Sequence, residues 1–204
     1  MGLTARETGV DIRIVAHEGS GARSRATVER TEAEVRKMLG DAVYGIDGQD
    51  MEEVVGALLL QRKMTLSAAE SCTGGLISGR ITNIAGSSAY FERGVVVYSN
   101  AAKTELLGVP ADLIEQHGAV SREVAAAMAQ GIRERAKTGL GLAVTGIAGP
   151  SGGTPEKPVG LVYISLASPD GTKTDEHRFL GTRSQVRQRT AQMALDMVRR
   201  YLIG

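Results

Sequence analysis

The chain has 204 residues, 24 basic against 23 acidic side chains and a formal net charge of +1. That length buries one good core with room for a small appendage, and so even a charge balance exerts no global pull toward nucleic acid or membrane. A lone cysteine, Cys72, rules out an intrachain disulfide and points to a reducing compartment. No apolar run approaches the roughly 20 residues of a membrane helix, and the N-terminus lacks the apolar core of a signal peptide, so a cytoplasmic protein is expected.

Val10, Ile12 and Ile14 alternate with Asp11 and Arg13, as in a strand with one buried face. After the Gly19-Ser20-Gly21 loop, Val28, Val35, Met38 and Leu39 form a helical stripe from about Ser24 to Leu39, stopped by Gly40. Ala42-Val43-Tyr44 reads as a second short strand and Asp47-Gly48-Gln49-Asp50 as a linker. The pattern predicts a β-α-β segment over residues 1–46. A unit of about 40 residues is below the size that usually buries an adequate core alone. It is therefore expected to pack on the main domain, on another subunit or on a domain outside this chain.

The main domain is expected over residues 51–204. Asp50 and Glu53 make a capping-box variant for a helix with Met51, Val54, Val55, Leu58 and Leu59 inward. A buried strand over Met64 to Ala68 turns through Ala69-Glu70-Ser71-Cys72-Thr73-Gly74-Gly75 into a helix carrying Leu76, Ile77, Ile81 and Ile84 on one face. Gly94 to Ser99 is a β-branched strand whose consecutive apolar residues predict cover on both faces. Asn100 is read as the cap of a short helix ending at Gly108. Ser121 opens another, with Val124, Ala125, Met128, Ala129 and Ile132 inward. Leu140 to Val144 is a buried strand entering the glycine-rich 145–153 loop. Val159 to Leu166 and a partly polar strand ending at Leu180 are joined by Ser168-Pro169-Asp170-Gly171, which predicts an antiparallel pair. Thr182 and Gln185 cap the last helix, carried by Val186, Thr190, Met193, Ala194, Met197 and Tyr201. Alternating helices and buried strands predict an α/β fold: a three-layer α/β/α sandwich with a mixed, mostly parallel sheet.

Three stretches carry chemistry. The Ser71 turn joins a strand to a helix start, which favours anions, and supplies a hydroxyl and a thiol where glycines leave the backbone open. With Asn100 as cap, Lys103 falls in the first turn of its helix, where the dipole and any burial both lower a lysine pKa. A lysine kept partly neutral can take the proton of a serine hydroxyl; a solvated lysine is the competing reading. The loop from Thr145, Gly146 and Gly149 to Gly153 can wrap a phosphate or be only a tight turn, and Lys157 follows it. It is neither a P-loop nor a dinucleotide fingerprint. His17, His117 and His177 lie far apart, and none shares a ligand motif with Cys72, so neither metal nor cofactor is expected.

The Ala69–Gly75 block, Gly86-Ser87-Ser88 through Phe91-Glu92-Arg93-Gly94 to Tyr98-Ser99-Asn100 and Lys103, His117-Gly118-Ala119-Val120-Ser121, Thr145-Gly146-Ile147-Ala148-Gly149-Pro150 and Lys157-Pro158-Val159-Gly160 together resemble the CinA C-terminal family, bacterial nicotinamide mononucleotide (NMN) deamidases. The resemblance runs from about residue 51 to 204. Residues 8–46 resemble the end of the KH-like middle region of full-length CinA proteins. The N-terminal domain of those proteins, linked to ADP-ribose pyrophosphatase activity, has no counterpart here, and that activity is not carried over. The resemblance implies a metal-free Ser/Lys amidohydrolase that converts NMN to nicotinate mononucleotide and ammonia. Ser71 would be the nucleophile, Lys103 the general base and Tyr98 a hydroxyl orienting or relaying between them. Backbone amides near Thr73, Gly74 and Gly75 would hold the oxyanion. Glu70, Asn100, the Thr145, Gly146 and Gly149 loop and Lys157 are the candidate contacts to the nucleotide. Arg183 and Arg187 are weaker candidates, a solvated helix face being the alternative for at least one.

Cys72 is the rival nucleophile, since thiols at helix starts are activated, but no histidine is placed to serve it. Two other functions compete: a nucleotide-binding or regulatory module with little turnover, and RNA binding by the KH-like segment. Gly19-Ser20-Gly21 does not supply the G-x-x-G loop of KH modules, and residues 10–47 are not basic, so nucleic acid is not the expected partner. The expected partner is a small nucleotide, NMN, and the expected assembly a homodimer.

Overall fold

The structure, a computed structural model, describes residues 1–6 and 8–204. It divides into two compact units, Met1–Gly48 and Gln49–Gly204.

The first unit is a hairpin followed by a helix. Strand β1 (Gly2–Ala5) pairs antiparallel with β2 (Val10–Arg13), and α1 spans Gly21–Leu39. Ser20 caps α1 by accepting from the Arg23 amide, and Gly40, with φ 53°, ends it. The order is thus β-β-α, not the expected β-α-β. In place of a strand at Ala42–Tyr44, the left-handed Gly40 leads into a 3-10 turn over Gly40–Ala42. The partner of β2 is instead the adjacent N-terminal segment, whose strand signal is weak because Leu3 is its one large apolar residue and is exposed. Val35 is the one buried apolar side chain among the described residues of this unit, as its small size leads one to expect.

The second unit begins with α2 (Met51–Arg62). Its capping box forms as predicted: the Asp50 side chain accepts from the Glu53 amide, and the Asp50 amide donates to Glu53 Oε2 at 2.8 Å. Then follow β3 (Leu66–Glu70), α3 (Leu76–Thr82), β4 (Phe91–Val96), α4 (Asn100–Leu107), α5 (Ala111–His117), α6 (Arg122–Ala136), β5 (Leu140–Gly146), β6 (Leu161–Ser168), β7 (Gly171–Arg178) and α7 (Arg183–Ile203). The sheet order is β4-β3-β5-β6-β7. β4, β3 and β5 run parallel; β6 opposes β5, and β7 opposes β6. Four strands therefore share one direction and β6 alone opposes them, the mixed sheet expected. Helices α4, α5 and α6 cover one face, where Leu107, Ile114, Val124, Met128, Ala129 and Ile132 pack on Ala69, Ala143 and Ala167. Helices α2, α3 and α7 pack together on the other.

Strand β4 departs from expectation. It starts and ends earlier than Gly94–Ser99 and is an edge strand, not one covered on both faces. Val95 and Val97 turn toward the core while Val96 and Tyr98 are 48 % and 63 % exposed. A run of β-branched residues had concealed this period-2 alternation. Helix α5 had no sequence expectation. At Gly131 α4 and α6 meet closely: a Cβ there would strike the Leu107 carbonyl oxygen. That contact seats α4, and with it Lys103.

Candidate active site

Every residue of β3 is buried, and its ladder runs on into Ser71, whose amide donates to the Val144 carbonyl at 3.1 Å. The chain then leaves the sheet. The Gly74 amide closes back on the Ser71 carbonyl at 3.2 Å, and Gly74 and Gly75 adopt φ of 59° and 92°, the left-handed region in which a Cβ is strained. Two glycines are thus needed for the turn itself.

Lys103 reaches this turn from α4. Ser99, not Asn100, caps that helix by accepting from the Ala102 amide at 3.1 Å. Asn100 is the first helical residue, so Lys103 lies one position deeper than expected. Ser99 has the extended backbone that a cap requires, φ −90° and ψ 162°, and its hydroxyl reaches the amide three residues on. The Lys103 side chain is 1 % exposed. Its Nζ donates to the Val97 carbonyl at 3.0 Å and lies 3.5 Å from Ser71 Oγ. Burial holds the amine below its ordinary pKa, and the only opposing influence is the neighbouring Cys72 thiol. Burial pushes that thiol up to about 12, so at neutral pH it carries no charge and cannot favour the ammonium. The same protonation makes Cys72 a poor nucleophile.

The other predicted residues divide. Glu70 is wholly buried, and its carboxylate accepts from the amides of Gly75 (2.9 Å), Ile77 (3.1 Å) and Ser78 (2.8 Å) and from Ser78 Oγ (2.6 Å). It is turned to the start of α3, not to a ligand, because a buried carboxylate needs donors and the open amides of that helix are the nearest ones. Consequently the Gly74 and Gly75 amides are already engaged, and within the turn only those of Cys72 and Thr73 lack a carbonyl or carboxylate acceptor. Thr73 is fully buried with Oγ1 unpartnered.

Tyr98 does not bridge Ser71 and Lys103; its hydroxyl accepts from Arg183 Nη2 at 3.0 Å, since the alternation of β4 carries the side chain outward. Thr145 Oγ1 donates to the Ala119 carbonyl at 2.8 Å, and Lys157 Nζ donates to the His117 and Val120 carbonyls at 2.6 and 2.7 Å. Both therefore pin the 117–120 turn, and two of the three Lys157 ammonium donors are engaged by its carbonyls. Gly146 closes β5 with Val162 and Leu161 so near that a Cβ would clash. The Gly149 carbonyl accepts from Arg183 Nη1 at 2.9 Å. Asn100 lines a depression with Thr104, Glu105, Ala111, Ile114 and Glu115, away from these partners. A cavity of about 390 Å³ between β7 and α7, lined by Asp170, His177 and Asp196 among others, shares no residue with the Ser71 turn.

Arg183 and Arg187, the weaker candidates, both stand at the start of α7 and reach the Ser71 turn and the 145–149 loop. Arg183 ties Tyr98 to the 145–149 loop, and Arg187 Nη2 donates to the Thr73 carbonyl at 2.6 Å. Their spacing of four places both on one helix face, a signal present in the sequence.

The CinA C-terminal domain profile matches residues 48–202, and the damage-inducible protein CinA KH domain profile matches residues 1–45. The chain belongs to the CinA family. It is 48 % identical over 201 residues to a CinA-like protein of Koribacter versatilis, and 44 % identical over 203 residues to a putative competence-damage inducible protein of Caldicellulosiruptor bescii. These alignments cover 98 % and 100 % of this chain but 49 % of each relative, so the chain spans about half the length of the curated relatives it matches. Among solved structures, a competence/damage inducible protein of Agrobacterium tumefaciens superposes with a TM-score of 0.71 at 41 % identity, over 78 % of this chain and 99 % of that one. A CinA superfamily protein of Klebsiella pneumoniae gives 0.72 at 31 % identity, over 76 % and 99 %. No helix of the described residues is long and apolar enough to cross a membrane.

Proposed function

We propose that this CinA-family chain is an amidohydrolase that cleaves the carboxamide of NMN, with Ser71 as nucleophile and Lys103 as base. The observation that carries the reading is a lysine amine, 1 % exposed and depressed in pKa by burial, 3.5 Å from a serine hydroxyl at the end of a buried strand. A neutral Nζ takes the Ser71 proton as Oγ attacks the carboxamide carbon. The oxyanion that forms is held by the Cys72 and Thr73 amides, the turn's two donors without a carbonyl or carboxylate acceptor. Lys103 then passes its proton to the amide nitrogen, the C–N bond breaks and ammonia leaves. Water, deprotonated by the same amine, hydrolyses the acyl-enzyme, releases nicotinate mononucleotide and restores Ser71. General-base action of this kind contributes about 10²–10⁴ in rate.

The test follows ammonia release from NMN for the unsubstituted protein and for Ser71→Ala, Lys103→Ala and Cys72→Ala. The first two are expected to lose turnover and the third to keep it. Full activity in Ser71→Ala ends the serine mechanism. A protein that binds NMN by calorimetry yet releases no ammonia is instead a nucleotide-binding module.

A further inference from the structure

Glu70 immediately precedes Ser71, yet nothing about a hydrolase requires a carboxylate there. Its side chain is 0 % exposed and its two oxygens receive four hydrogen bonds, all from residues 75–78. The clasp joins the last residue of β3 to the first turn of α3, so residues 71–74 form a short arch anchored at both ends. One foot is the sheet, through the Ser71 amide and the Val144 carbonyl. The other is α3, itself held by Arg80, which reaches Glu52 of α2 at 2.6 Å and Gln192 of α7 at 2.8 Å. A carboxylate suits this place because it accepts several amides at once and meets the positive end of the helix dipole. An amide side chain of the same size turns an NH₂ group toward donors it cannot satisfy.

We propose that Glu70 is a positioning residue: its carboxylate, by clasping the start of α3, holds the Ser71 hydroxyl in reach of the Lys103 amine and keeps the Cys72 and Thr73 amides turned to the reacting carbonyl. The inference rests on the hydrolase reading given above. Its distinguishing consequence is a loss in kcat without a matching change in KM, since the arch carries the reacting groups and not the nucleotide contacts. A carboxylate that served only to stabilise the fold would lower the melting temperature and leave kcat alone at temperatures where the protein stays folded.

The experiment compares the full chain with Glu70→Gln and Ser78→Ala, measuring melting temperature, kcat and KM for NMN, and the rate at which a fluorophosphonate labels Ser71. For Glu70→Gln, kcat and the labelling rate are expected to fall about a hundredfold, as for a misplaced reacting group, with KM unchanged to about twofold. Ser78→Ala removes one of the four donors and is expected to show a smaller loss of the same kind. A folded Glu70→Gln variant with kcat and labelling rate unchanged overturns the proposal, whatever its melting temperature. Should Glu70→Gln fail to fold, Ser78→Ala decides: a fall in kcat at constant KM supports the clasp, and an unchanged kcat refutes it. An unsubstituted protein that neither releases ammonia nor labels at Ser71 refutes the hydrolase reading, and this proposal with it.

Discussion

Replacing Lys103 by methionine separates the base chemistry from the stability of the fold. The two side chains are similar in length, and the site is 1 % exposed, so the packing volume is nearly kept. What changes is the proton. In the native protein burial holds the amine below 10.5, its ordinary value, which the unfolded chain keeps. Between the lowered and the ordinary value the unfolded state therefore binds one more proton than the native state, and stability rises with pH. The slope within that window is at most about 1.4 kcal/mol per pH unit, the one-proton ceiling, and it vanishes on either side. Lys103→Met lacks this component. It also leaves the Val97 carbonyl without the Nζ donor, a loss of about 1–3 kcal/mol for a buried acceptor that does not vary with pH. Urea unfolding of both proteins from neutral pH to about pH 10 gives the two stability curves. Their difference is expected to favour the native protein increasingly as pH rises. A difference that stays flat or falls refutes a buried amine with a depressed pKa. In parallel, kcat/KM of the unsubstituted protein is expected to rise with pH and level off below the ordinary lysine range, as the base loses its proton.

Gly75→Ala, at φ 92° and with only ordinary contact to Val96, is expected to cost about 1–2 kcal/mol of stability through backbone strain alone. Denaturant unfolding measures that loss, and an unchanged midpoint contradicts the turn geometry. Lys157→Met removes the donor to two carbonyls and is expected to lower stability by about 1–3 kcal/mol while leaving KM for NMN unaltered. A raised KM at unchanged stability returns this lysine to the substrate. Gly131→Ala forces a methyl group onto the Leu107 carbonyl, with an expected cost of about 1–3 kcal/mol from overpacking. Because α4 must shift, turnover is expected to fall as well; thermal unfolding and ammonia release report the two effects.

Local chemistry made much of this protein legible before any coordinates. The Asp50–Glu53 and Thr182–Gln185 capping boxes, the inward faces of α2 and α6, the buried β5 and the β6–β7 pair depend mostly on neighbours within a few residues, and they occur where the sequence places them. Strand β3 is buried as expected but runs Leu66–Glu70, two residues later than Met64 to Ala68. The meeting of Ser71 with Lys103 is legible only through the resemblance, since spacing alone favours a solvated lysine. Tertiary structure decided the rest, because the deciding partners are distant in sequence. The Tyr98 hydroxyl, expected between Ser71 and Lys103, accepts from Arg183, and the Lys157 amine, expected at the nucleotide, donates to the carbonyls of residues 117 and 120. Glu70 shows the limit most clearly. A carboxylate beside a serine reads as a ligand contact in one dimension. In three dimensions the helix that follows folds back with unsatisfied amides, and a charge buried in the sheet must take the donors that reach it.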